Sequence, residues 1–330
     1  MNSSILVIYT GGTIGMVKSE NGSYAPFSLE SLTSYLPDLK IFGSEVKLLS
    51  FEEPLDSSHV GPAEWQQIAK IIIENNEAFG AFVVLHGTDT MAYTSSALGF
   101  MLQGLGKTVV LTGSQVPISE QGTDAVDNFM NALKVARDGI ATEVCVWFNK
   151  MLLRGVACTK VDTASFDGFQ SPNQEPLAFL EKEIKYNKNV KFESPSDFEF
   201  KTNSRSNVAL IPLIPGLESW FNPLSLLESN VQGIVFKVFG SGTVPFKDGD
   251  IIFEGLNKLQ EKGVIMMAVS QCLKGEVEIG KYEASSVLNN LGVISGKSIT
   301  TEAAVAKMMV GIANVENAKD YILQNQVGEF

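Results

Sequence analysis

Apolar positions along the chain fall into short unbroken runs, separated by stretches with helical spacing. Ile5-Leu6-Val7-Ile8-Tyr9 and Ala81-Phe82-Val83-Val84-Leu85 are apolar throughout, as strands are when both faces of a sheet are covered. The first half reads as strands at 5–10, 45–51, 81–86, 108–112 and 143–148. Helical patterns lie between them, at about 28–36, 62–76, 89–103 and 123–138. Pro62 at a first helical position, followed by Glu64, marks the start of one helix. Tyr93, Ala97 and Met101 recur at helical spacing in the next. Alternation of this kind predicts an α/β fold with a mostly parallel sheet covered by helices.

The pattern breaks over 167–205, which is rich in Asn, Ser, Pro, Lys and Glu. A linker over 191–206 therefore divides a domain at 1–190 from a second at 207–330. Alternation resumes with strands near 208–212, 233–238 and 264–269. The accompanying helices are expected near 222–229, 249–262, 283–291, 301–312 and 315–324.

Two strands run straight into glycine-bounded turns that carry threonine. One turn is Thr10-Gly11-Gly12-Thr13-Ile14-Gly15 and the other is His86-Gly87-Thr88-Asp89-Thr90. In open α/β sheets, ligands bind at the carboxyl ends of strands, and glycine lets the backbone approach a ligand closely. The first turn matches neither the dinucleotide nor the Walker pattern. It reads as a ligand turn or as a glycine turn closing a βα unit. In the second, Asp89 beside a hydroxyl can orient a substrate amine, or Thr88 or Asp89 can cap the following helix. Thr112-Gly113-Ser114-Gln115 and Asp56-Ser57-Ser58 are further polar segments after apolar residues. Lys160 closes the strand-like stretch Gly155 to Lys160. It either reaches solvent or, if buried, becomes a base of lowered pKa.

Composition narrows the chemistry. The chain has 330 residues, 45% of them hydrophobic, and a net charge of −12. With no cluster of Lys and Arg, it lacks the footprint that phosphate neutralisation needs, so nucleic acid is not an expected partner. No apolar run reaches the roughly 20 residues of a membrane span. The N-terminus enters a strand directly, without the layout of a signal peptide. Cys145, Cys158 and Cys272 are scattered, which suits a reducing cytoplasmic setting. Two histidines, His59 and His86, leave little room for a zinc site, so no metal is expected. If the chain is a hydrolase, its general base is not expected to be histidine.

Taken in order, these segments resemble the bacterial L-asparaginases, closest to the cytoplasmic type I group. The resemblance rests on YTGGTIGM (Tyr9 to Met16), DSS (Asp56 to Ser58), LHGTDTMAYT (Leu85 to Thr94), TGSQVP (Thr112 to Pro117), FDGFQSPN (Phe166 to Asn173) and SQC (Ser270 to Cys272). It implies a larger N-terminal and a smaller C-terminal α/β domain. It also implies hydrolysis of asparagine without a cofactor, at sites completed in a homodimer or a dimer of dimers.

By resemblance Thr13 is the primary nucleophile, activated by Tyr24. Thr88, Asp89 and Lys160 form a second, rigid triad. Asp89 also holds the substrate α-amino group, and Ser57 and Ser58 its α-carboxylate. Ser114 lines the side-chain amide, and Gly12, Asp56 and Gly87 complete the substrate site. Tyr24, flanked by Asn21-Gly22-Ser23 and Ala25-Pro26, lies on a segment that reads as a lid or as a plain surface hairpin. Thr159, Lys237 and Cys272 fit the region of an allosteric asparagine site. Lys237 replaces an arginine there, and lysine lacks the bidentate fork for a carboxylate, so weak or absent cooperativity is expected. The alternatives are a broader glutaminase-asparaginase, a transfer-RNA amidotransferase amidase, and a non-catalytic amino-acid-binding regulator on the same fold. A start at the first strand disfavours the amidotransferase.

Overall fold

Strand β1 (Ile5–Gly11) is buried along its whole length, because its continuous apolar run has no face to give to water. The computed structural model describes residues 4–18, 24–26, 34–35, 45–190, 199–204, 207–280 and 283–330. The chain divides into two units, Met1–Thr202 and Asn203–Phe330.

In the first unit β1 is followed in the chain by β2 (Met16–Lys18) and β3 (Tyr24–Pro26), which form a separate antiparallel pair. Its sheet neighbours are β4 (Val46–Leu55) and β5 (Ala81–Leu85), both parallel to it. Next come β6 (Thr108–Thr112) and β7 (Val144–Phe148), each parallel to its predecessor. Beyond β7 the sheet turns antiparallel through β8 (Met151–Arg154), β11 (Ala178–Leu180) and β12 (Ile184–Tyr186). A separate pair joins β9 (Thr159–Lys160) to β10 (Phe169–Gln170). The order across the main sheet is β12-β11-β8-β7-β6-β5-β1-β4.

Helices Pro62–Glu74, Met91–Met101 and Ala125–Asp138 connect the parallel strands. The Glu64 carboxylate accepts the Gly61 N–H at 2.8 Å, which satisfies an amide that the first helical turn leaves open. The helix 125–138 lays Phe129, Ala132, Leu133 and Ala136 into a core shared with Val7, Val83, Val110 and Trp147.

The second unit holds a parallel sheet of β13 (Val208–Pro212), β14 (Gly233–Val238), β15 (Ile265–Ser270) and β16 (Ile294–Ser295). Helices Ile251–Glu261, Glu283–Asn290, Thr301–Asn314 and Ala318–Leu323 accompany it. Its core gathers Ile234, Phe236, Leu256, Leu259 and Leu288.

Several expectations change. The α-helix expected at 222–229 is a 3-10 helix, Pro223–Leu227. Asn222 caps it by accepting the Leu224 N–H at 3.1 Å, and the segment is too short to settle into i→i+4 bonding. The stretch 155–160 is a strand only at Thr159–Lys160. The expected helix at 28–36 lies outside the described residues except for Ser34 and Tyr35. Within 191–206, Glu199 and Lys201 donate their amides to Gln103 and Met101 of the first unit.

Candidate functional site

The parallel order β6-β5-β1-β4 places four carboxyl ends side by side on one edge. From that edge leave Gly113-Ser114, His86-Gly87-Thr88-Asp89, Gly12-Thr13 and Asp56-Ser57-Ser58. The turns touch backbone to backbone. A Cβ on Gly12 would stand 2.3 Å from Gly87 Cα, and φ there is +85°. A Cβ on Gly87 would stand 2.6 Å from both Cβ and Oγ of Ser57. Glycine is required at both positions because three chain segments occupy the space of two. Two hydroxyls tie the edge together: Thr90 Oγ1 donates to Ser57 O at 2.7 Å and Thr10 Oγ1 to Leu85 O at 2.9 Å.

Lys160, on β9, meets the second threonine turn. Its ammonium donates to Thr88 Oγ1 at 2.8 Å and to Asp89 Oδ1 at 2.7 Å. Thr88 is buried, the Lys160 side chain is 17% exposed and that of Asp89 is 67% exposed. The helix-capping reading of Thr88 and Asp89 is thereby corrected. The N-cap of helix 91–101 is Thr90, whose side chain makes no capping bond. Both earlier side chains turn to Lys160 instead, because a charge-assisted bond to an ammonium is stronger than a neutral cap. Lys160 accordingly does not simply run out to solvent. Asp89 keeps its Oδ2 without a partner among the described residues.

Thr13 opens a 3-10 turn, Thr13–Gly15. The Tyr9 hydroxyl, whose ionisation burial pushes well up, donates to Gly15 O at 3.2 Å and backs this turn. Thr13 is half-buried, and its hydroxyl has no partner among the described residues. The backbone of Tyr24 pairs with that of Lys18 across the β2–β3 pair; the Tyr24 side chain lies outside the described part.

Asp56 accepts the Ser58 N–H at 2.8 Å, and this bond holds its carboxyl below the ordinary value. It caps the 3-10 turn Ser57–His59, leaving Ser57 buried and Ser58 exposed. Ser114 is buried, and its hydroxyl has no partner among the described residues. His86 is wholly buried, and desolvation lowers its pKa to about 4. Thr159 belongs to the first unit, while Lys237 on β14 and Cys272 after β15 belong to the second.

Sequence reasoning passed over the group that fixes the Ser114 loop. Asp124 accepts the N–H groups of Gln115 and Val116, each at 3.1 Å. Asn128, one helical turn on, donates to Gly113 O at 3.0 Å. Gln115 Nε2 then reaches Ser165 O at 2.8 Å, in the loop that follows Lys160. The i, i+4 pair of Asp124 and Asn128 at a helix start was the available signal.

Two threonine turns on a glycine-tight strand edge, the second of them bonded to a lysine through Thr88 and Asp89, make a site built on hydroxyls, the kind of group that nucleophilic catalysis activates. The family model of the asparaginase N-terminal domain matches residues 4–192, and that of the glutaminase/asparaginase C-terminal domain matches residues 207–322. The L-asparaginase 1 of Escherichia coli K12 is 34% identical over 335 residues, 99% of this chain and 97% of that protein. An L-asparaginase of Dirofilaria immitis is 36% identical over 92% of this chain, which spans 56% of that longer relative. The crystal structure of L-asparaginase I from Vibrio cholerae superposes with a TM-score of 0.85 at 33% identity, covering 99% of this chain and 98% of that one. The chain belongs to the asparaginase family.

Proposed function

We propose that the chain hydrolyses L-asparagine to aspartate and ammonia through an ester on Thr13. The observation that carries this reading is the Lys160–Thr88–Asp89 cluster, with Lys160 Nζ 2.8 Å from Thr88 Oγ1, set beside the Thr13 turn on one strand edge. The reading agrees with the L-asparaginases that the chain resembles over its length.

In this mechanism Thr13 Oγ attacks the amide carbon, with Tyr24 taking the hydroxyl proton. The carbon–nitrogen bond breaks, and ammonia leaves with that proton. Water then opens the ester, returning the Thr13 hydroxyl and releasing aspartate. A threonine hydroxyl is a weak nucleophile and needs such a partner. Charge builds on the carbonyl oxygen during attack, and preformed backbone N–H donors stabilise it. The Thr88 N–H suits that task, having no partner among the described residues.

The free Oδ2 of Asp89 suits the substrate ammonium. Ser57 and Ser58 suit the α-carboxylate, with Gly12 and Gly87 giving the backbone room and Asp56 shaping the serine turn. Ser114 offers a buried hydroxyl with no partner among the described residues; a group left so costs about 1–3 kcal/mol until it is paired. No cofactor enters the scheme. The working form is a homodimer or a dimer of dimers in the cytoplasm, built from domains 1–190 and 207–330. Among the described residues no helix is long and apolar enough to cross a membrane.

The test is ammonia release from asparagine and from glutamine over a concentration series. Asparagine is expected to be preferred, with cooperativity weak or absent because Lys237 stands in place of an arginine; a clearly sigmoidal curve would contradict that. No ammonia from either amide would overturn the reading, and an equal rate with glutamine would favour the broader glutaminase-asparaginase.

A further inference from the structure

His86 is buried behind the Thr88 turn and takes no part in the scheme above. Its ring nevertheless has a hydrogen bond at each nitrogen. Nδ1 lies 2.7 Å from Gly87 O. A carbonyl can only accept, so Nδ1 carries the proton and Nε2 is bare. Thr94 Oγ1 lies 3.0 Å from Nε2 and donates to it. Trp65 Nε1 in turn donates to Thr94 Oγ1 at 3.1 Å. Every proton along the chain Trp65–Thr94–His86–Gly87 then has one direction. All three side chains are buried, and they come from β5's end and two helices, 62–74 and 91–101. Burial keeps the imidazole neutral, the state in which this pattern is satisfied.

Gly87 C=O and Thr88 N–H belong to one peptide plane. In a trans peptide they point in opposite directions. Holding the carbonyl on the imidazole therefore aims the Thr88 N–H away from the interior. We propose that His86 is a positioning residue: the Trp65–Thr94–His86 chain fixes the Gly87–Thr88 peptide so that the Thr88 N–H meets the charge formed on the substrate amide oxygen. This rests on the site reading given under the proposed function. It separates His86 from acid–base chemistry and gives the buried histidine of this turn a geometric task.

Asparagine hydrolysis by the whole protein tests it, with wild type beside His86→Asn, His86→Leu and Thr94→Val. Asn can keep an N–H near the Nδ1 position, and Leu keeps none. His86→Leu is expected to lower kcat about 100-fold, the loss of one oxyanion donor, with KM changed by less than about 3-fold, since a lost transition-state contact acts on kcat. His86→Asn is expected to recover at least about tenfold of that kcat, and Thr94→Val to lose about 3- to 10-fold. A merely structural role would cost both His86 variants alike and lower their melting temperatures together; that result overturns the proposal, as does wild-type kcat in a folded His86→Leu. If His86→Leu does not fold, Thr94→Val decides: unchanged kcat overturns the proposal. Nitrogen-15 NMR gives a readout independent of turnover. His86 is expected as the Nδ1–H form and the Nε2–H form contradicts the proposal. His59→Gln assigns the signals, since the chain has 2 histidines. An inactive wild type with the Nδ1–H form would sink the substrate reading while leaving the hydrogen-bond chain in place.

Discussion

The two threonine turns start from similar sequence and end in opposite states. Thr88 is buried, held by Lys160 and flanked by a carboxylate on the same ammonium. Thr13 is half-buried on a one-turn 3-10 helix, and its hydroxyl is unclaimed among the described residues. Both turns follow fully buried parallel strands, so strand context does not separate them. The difference comes from what reaches each turn from elsewhere. A short antiparallel pair carries Lys160 to Thr88, while the pair that follows Thr13 presents Tyr24 on its backbone. A preformed hydroxyl stays where a transition state can use it.

The comparison breaks most plainly if either hydroxyl is dispensable. Thr13→Ala and Thr88→Val are each expected to lower kcat about 10⁴-fold or more, as losses from a coupled catalytic set do. Near-wild-type ammonia release by either folded variant would contradict the division of labour. Next in size is Lys160→Met, expected to cost about 10²- to 10⁴-fold in kcat, the range of an acid–base partner. The same loss with the Thr88 turn unchanged in a crystal structure would point to charge rather than placement.

Gly87→Ala is expected to cost about 100-fold, the usual effect of a 1 Å misplacement, because its Cβ would meet Ser57 at 2.6 Å. Adding Ser57→Gly relieves that clash while removing the side chain proposed to meet the substrate carboxylate. Steady-state kinetics of the double variant should therefore show a smaller kcat loss than Gly87→Ala alone; additive losses would mean the turns do not press on one another.

The smallest effect belongs to Asp56. Asp56→Ala is expected to lower stability by about 1 kcal/mol, as loss of a cap does, with the effect on turnover falling on KM through the serine turn rather than on kcat. The Ser58 N–H holds the Asp56 carboxyl below its ordinary value. The stabilisation is therefore present above the unfolded-state pKa and is lost as pH falls through the lower folded-state value. Thermal melts of wild type and variant should differ at neutral pH and converge in acid. A difference that grows in acid would reverse the assignment.

Strands β1, β5 and β6 were legible because each is a mostly apolar, buried run that leads into a glycine turn. The antiparallel edge was not. Asn149 and Lys150 turn the β7–β8 hairpin at φ 37° and 71°, without the glycine that advertises such a turn. Strands β11 and β12, of 3 residues each, are too short for alternation to rise above a polar background. In the site, the residue types of Thr13, Thr88, Asp89 and Lys160 stand in plain view. Whether Thr88 capped a helix or met a lysine 72 positions away depended on strand pairing that local pattern does not carry. The tie from Asp124 to the Ser114 loop is local and left a signal in the i, i+4 pair Asp124 and Asn128, whereas the Trp65–Thr94–His86 chain joins separate elements and becomes visible only as distances.

The most direct test of the division between the turns is to quench the enzyme during asparagine turnover and map the acylated residue by peptide mass spectrometry. The account predicts an aspartyl ester on Thr13 and none on Thr88. An ester on Thr88, with Thr13 unmodified, would contradict it.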